Sequence, residues 1–151
     1  MNNPREAISE ALFTQLQKAD GTGTGQFEFE SFERGLKSWG SVPAANQPAA
    51  FLVKWKESLT QVNLGLTVYV LDYLLVIYLQ VDPSTGTVGE TTCNAILDAL
   101  DLALQSKPPY EKQSLGGLVI NAWIEGEVMI DTGILDQQAA IFVPIKVRTG
   151  A

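Results

Sequence analysis

Apolar residues recur along the chain first with the helical period and then with the strand period. Ile8, Ala11, Leu12, Leu16 and Ala19 fall three and four apart, with Phe13 widening the stripe, which predicts an amphipathic helix over about Pro4 to Ala19. Asn3 is placed to cap it, Pro4 suits the first helical position, and Glu6 stands three residues after the cap. Asp20-Gly21-Thr22-Gly23-Thr24-Gly25 ends it with residues that tolerate left-handed backbone angles. From Phe27 to Trp39 an imperfect alternation predicts one or two strands with Glu28, Glu30 and Glu33 toward solvent. Pro43 to Pro48 reads as a loop and Ala49 to Lys56 as a further strand. Leu64 to Val81 is longer than an average strand and has no Gly or Pro after Gly65, so it predicts one long, bent strand.

After the turn chemistry of Asp82-Pro83-Ser84-Thr85-Gly86-Thr87, helical spacing returns. Cys93, Ile96, Leu97, Leu100 and Leu104 form a stripe that Pro108-Pro109 closes, with Asp98, Asp101 and Gln105 on the opposite face. The last third reads as strands over Leu118 to Ile124, Glu127 to Asp131 and Ala139 to Val147, with Glu125-Gly126 and Thr132-Gly133 as turns. Helix, strands, helix, strands describes a single α+β domain over residues 1–151. Its sheet is expected to be mixed or mainly antiparallel, with both helices on one face and a long β-hairpin. Ile8, Leu12, Leu16, Ile96, Leu97 and Leu100 are its expected helix-to-sheet core.

Composition changes this picture mainly by exclusion. Of 151 residues, 46% are hydrophobic and 18% charged, and ten Lys and Arg against seventeen Asp and Glu leave a net charge of -7. That balance offers no broad basic face to duplex phosphates. The absence of His removes imidazole metal ligands and every Ser-His or Cys-His nucleophile pair, and one cysteine, Cys93, excludes an internal disulfide or multi-Cys zinc site. Cys93 lies on an apolar helical stripe without a basic cluster nearby, which predicts a buried small hydrophobe rather than a reactive thiol.

No basic segment followed by an apolar core opens the chain, so a secretory leader is not expected and the cytoplasm in which the chain is made is the expected compartment. The stretch from Leu64 to Leu79 is broken by Asp72 and falls short of the roughly 20 apolar residues of a membrane helix.

Candidate chemistry is sparse. The glycine-rich stretch at residues 21–25 is followed by Gln26-Phe27-Glu28-Phe29, which supplies neither the Lys nor the helix start of a phosphate loop. Glu125, Glu127, Asp131 and Asp136 are the carboxylates that an acid-base mechanism would use, but charges on solvated hairpins explain them more simply. Asp131 to Asp136 lacks the alternating oxygen ligands of a calcium loop. The rings of Trp39, Trp55, Trp123, Phe51, Tyr69, Tyr73 and Tyr78 are read as parts of apolar strands without the positive groove of a stacking platform, which points to core or subunit packing. Neither a cofactor nor a metal is called for.

The order of motifs is more informative. Phe32-Glu33-Arg34, Trp39, Val42, Gln47-Pro48-Ala49-Ala50-Phe51, Leu115-Gly116-Gly117-Leu118-Val119, Glu125-Gly126-Glu127 and Gln138-Ala139-Ala140-Ile141-Phe142-Val143-Pro144-Ile145 together resemble the bacteriophage tail completion proteins, specifically the tail terminators. The resemblance covers nearly the whole chain. It implies a non-enzymatic virion subunit that forms a ring, a homohexamer, at the head-proximal end of a long tail. Such a ring ends polymerisation of the tail tube protein, meets the head-tail connector or neck protein, and lets DNA pass through its lumen, where an acidic wall would repel the duplex. No catalytic residue is carried over. For a ring of this kind the assembly interface is expected at Leu66, Val68, Tyr69 and Tyr73 of the long strand and at Trp39 and Trp55. Competing readings are a head-completion or neck connector subunit, a small accessory enzyme or ligand-binding module using Glu125, Glu127 or Asp131, and an ordinary domain whose apolar strands meet another partner.

Overall fold

The computed structural model describes residues 4–19, 28–80, 89–105, 113–135 and 138–150. In chain order the elements are α1 (Pro4–Leu16), β1 (Ser31–Arg34), β2 (Ala49–Asn63), β3 (Leu66–Gln80), α2 (Glu90–Leu104), β4 (Asn121–Ile124), β5 (Met129–Leu135) and β6 (Gln138–Gly150). The expected cap at Asn3, the glycine stretch from Asp20 to Gly25, the turn at 82–87, Pro108-Pro109 and Asp136 lie outside the described residues.

The fold is α+β. Six strands form a sheet in the order β1-β2-β3-β6-β4, with β5 also paired to β6. All pairings are antiparallel except β1 with β2, so the sheet is mixed. The β2–β3 pair is the long hairpin: two strands of 15 residues joined by Leu64 and Gly65, where Gly65 takes φ 81°. A side chain is strained at that angle and glycine is not. β3 and β6 pair from Val68 opposite Gly150 to Gln80 opposite Gln138, which makes them the centre of the sheet.

Alternation along β3 and β6 sorts side chains onto two faces. Leu71, Tyr73, Leu75, Ile77 and Leu79, with Ile141, Val143, Ile145 and Val147, meet Ile8, Leu12 and Leu16 of α1 and Ile96 and Leu100 of α2 in the main core. Both helices therefore cover the same face. Leu97 departs from the expected core: it is only partly buried at the margin, because the line through Cys93, Ile96 and Leu100 is the one that points at the sheet. Cys93 is buried, and burial pushes its thiol above the usual value.

The opposite face carries a smaller core of Val42, Ala49, Phe51, Val76, Tyr78 and Ala140. Parallel β1 and β2 need a crossover, and residues 35–48 provide it with 3-10 turns at Trp39–Ser41 and Ala44–Asn46. Val42 plugs the small core, and the Tyr78 hydroxyl donates to the Lys37 carbonyl at 2.8 Å.

Several expected boundaries move. The region read as one or two strands up to Trp39 contains, among the described residues, only the four-residue β1, since Gly35 at φ 86° turns the chain away. β2 continues seven residues past Lys56. Thr132-Gly133, expected as a turn, lies inside β5, at an irregularity of its pairing between Asp131 and Leu135. Leu118 to Ile120 precedes β4 as a turn and not as strand, following Leu115, Gly116 and Gly117, all at positive φ. α1 ends at Leu16 rather than Ala19.

Candidate assembly surface

β2 begins inside the domain and ends outside it. Ala49 to Leu52 are buried, Val53 is half-buried, and from Lys54 onward nearly every residue is exposed. β1 reaches only as far as Leu52, so the outer half of β2 has β3 as its neighbour and an open edge on its other side among the described strands. Bulges mark both ends of that half, between Lys54 and Lys56 and between Gln61 and Asn63. The projecting hairpin exposes Trp55 at 58%, Leu59 at 56%, Val62 and, at the turn, a fully exposed Leu64.

A set of ion pairs ties the hairpin's base to α1. Arg5 presents Nε to both Glu57 carboxylate oxygens, at 3.0 and 3.1 Å, and its guanidinium lies 5.0 Å from the centre of the Tyr69 ring. Lys54 also pairs with Glu57. The hydrogen bond from Lys54, with a further one from Arg5, holds the Glu57 carboxyl below its usual range. Arg34 and Glu6 form a second pair beside them, which lowers the Glu6 carboxyl in the same way.

On the face away from the helices, Asp72 is buried between Lys146 at 3.2 Å and Lys56 at 3.8 Å. Its Oδ2 has no hydrogen-bond partner, so the attraction of the two ammonium groups alone compensates that oxygen. A shallow groove of about 390 Å³ runs beside this cluster, walled by Val62, Val68, Val70, Trp123, Lys146 and Arg148.

The residues expected at the assembly interface scatter between these environments. Tyr73 belongs to the core: its ring is enclosed and its hydroxyl meets Ser9 Oγ at 2.7 Å, so it presents no surface to a partner. Tyr69 is half-buried beneath Arg5, and Val68 lies in the groove. Trp55 stands exposed at the bulge with the Lys56 ammonium 4.8 Å from its ring centre. Leu66 opens β3 opposite Asn63 and Trp39 opens a 3-10 turn; their side chains lie outside the described ones. Tyr69 meets a cation because Arg5 comes to it from another element, whereas Trp55 has Lys54 and Lys56 as its neighbours along the chain, so the expectation of rings within apolar strands, away from cations, fails at Trp55.

The three carboxylates considered for catalysis that lie among the described residues do not converge on a pocket. Glu125 sits at the β4–β5 turn, 3.8 Å from Lys146, Glu127 is exposed two residues on, and Asp131 lies within β5. No group of three or more potential metal ligands occurs among the described residues. No described helix is long and apolar enough to cross a membrane.

Comparison with known proteins finds the same fold in a virus-like particle. A chain in the virion of a native gene transfer agent particle superposes with a TM-score of 0.57, at 12% identity, over 95% of this chain and 95% of that one. No protein-family model and no curated protein sequence matches the chain. At that identity the likeness shows a shared fold across nearly the full length of both chains. Sequence reasoning missed Leu59, Val62 and the Lys56-Asp72-Lys146 cluster. The signal available for the first two was the apolar-polar mixture of residues 57–63, which alternates too weakly to stand out from a loop.

Proposed function

We propose that the protein is a structural subunit of a phage-like virion, and more specifically a tail terminator that closes the head-proximal end of a long tail as a ring. The observation that carries the reading is the fold shared over 95% of both chains with a gene transfer agent virion component. The open β2 edge and projecting apolar hairpin support it, since a subunit that works alone gains nothing from such a surface and risks aggregation. In this role it contacts further copies of itself, the tail tube protein and the neck protein, and DNA crosses its lumen without being read. A hexamer fits the terminator role.

Two measurements test the reading. Antibody labelling of purified particles in the electron microscope should place the protein as a band where tail meets head. A position on the head side of that junction makes it a neck connector instead, and absence from particles ends the virion reading. In the second, purified protein added to polymerising tail tube protein should shorten and equalise tube lengths. Unchanged lengths would count against termination.

A further inference from the structure

The two lateral edges of the sheet are unequal and complementary. On one side, beyond the reach of β1, the bulges at Trp55 and Val62 bracket a regular run of β2 from Lys56 to Gln61. On the other side β5 pairs only with β6 among the described strands, and exposes Met129 at 62% and Ile130 at 42%. We propose that these edges join between copies, the outer half of β2 in one subunit pairing with β5 of the next, so that the sheet continues across the joint. The inference rests on the ring reading above in taking a second copy as the occupant.

Three features of the chain support that joint. Directions agree: β2, β3, β6 and β5 alternate antiparallel, so the β5 of one copy laid beside the β2 of another, helices on the same side, is again antiparallel. Faces agree as well. Leu59 lies opposite Tyr69 and Ile130 opposite Ile141, both on the helix side, while Lys56 lies opposite Asp72 and Asp131 opposite Ala140, both on the other. A register that sets Leu59 against Ile130 therefore brings Lys56 diagonal to Asp131, within reach of a long side chain. Charge agrees too: from Ser114 to Leu135 the chain has Glu125, Glu127 and Asp131 but no Lys or Arg, whereas Lys54 and Lys56 against Glu57 leave the outer half of β2 net positive. Because the two edges differ, the contact is head-to-tail and closes only as a ring.

Cysteine cross-linking of the full chain decides the matter, with Cys93 buried and out of competition. The double variant Leu59→Cys, Ile130→Cys, mildly oxidised, should give a ladder of disulfide-linked multimers on a non-reducing gel. An equal mixture of the two single variants should give a dimer that neither gives alone. Dimers from Leu59→Cys alone would mean that two β2 edges meet, and would overturn the joint. So would an absence of cross-links in folded double variant, judged by circular dichroism, whether light scattering finds multimers or monomers. Charge swapping gives a second readout: Leu59→Lys and Ile130→Asp should each abolish the multimer peak in light scattering, and their combination should restore it. A ladder from a protein missing from particles would retire the virion reading and keep the joint. Particles that contain the protein, with cross-links only between β2 edges, would do the reverse.

Discussion

Leu97 and Leu100 lie one turn apart on α2, yet only Leu100 is enclosed by the sheet. Leu100→Ala should cost about 2 to 5 kcal/mol in a urea titration, the range for a fully buried leucine that leaves a cavity. Leu97→Ala should cost clearly less, because water already reaches part of that side chain. The stripe that reveals the helix gives both leucines the same weight, since positions three apart differ by only about 60° around the helix axis and the stripe does not fix the direction of the sheet to within that angle. Tyr73 is a second case. Its place among aromatic strand residues was legible, but its bond to Ser9 joins positions 64 apart and depends on α1 crossing the sheet there. Burial raises its hydroxyl above the usual range, and it stays protonated as a hydrogen-bond partner for Ser9. Tyr73→Phe should therefore lose about 1 kcal/mol, measured by the same titration, with the Ser9 hydroxyl left short of a partner.

Among elements, the base of the hairpin depends on charge. Glu57 is more acidic in the folded protein than its ordinary value of 4.5, since Lys54 and Arg5 both bind the carboxylate. A group lowered on folding contributes stability that is fully present above the ordinary value and is lost as pH falls through the lowered one. The stability difference between the native chain and Glu57→Gln should hold steady above about pH 4.5 and shrink below it, which thermal melts across the acid range would follow. Salt should narrow the difference as well. The β4–β5 turn depends on shape instead. Gly126 has φ 114°, and a Cβ there would sit 3.3 Å from Pro144 Cγ, whereas one at Gly65 meets nothing within 4 Å. Gly126→Ala should lower the melting temperature more than Gly65→Ala. The sequence showed the existence of most elements better than their ends. β2 was legible to Lys56 because Ala49 to Leu52 are apolar and buried on both faces of the sheet; past the bulge both faces are wet, the apolar pattern loses its cause, and the strand continues only because β3 runs beside it.

For the whole molecule, the helix-covered mixed sheet followed from two apolar stripes and a set of alternating segments, which have few ways to bury one another. The assembly surface did not follow so readily. Which strands end up on the rim of a sheet depends on pairing order, and nothing local in Leu59 or Ile130 announces that each stands at a border. A chain that folds with such borders open should become more stable when they are filled, so its melting temperature should rise with protein concentration, as ligand linkage requires. A melting temperature independent of concentration over a hundredfold range would mark a self-sufficient monomer.

The two borders proposed to meet also sit at different heights. The run from Lys56 to Gln61 is level with the Thr67 end of β3, and β5 is level with its Gln80 end, because Met129 to Leu135 pair with the first residues of β6. The step between them is about eight residues, or roughly 25 Å along a strand. Copies joined border to border climb by that step at every joint unless their strands lean, so a flat closed circle requires a wall of slanted strands. Slant, shear and circumference are then one linked quantity, as in any closed sheet. The width of the bore would be written into the offset between two strand ends of a single chain.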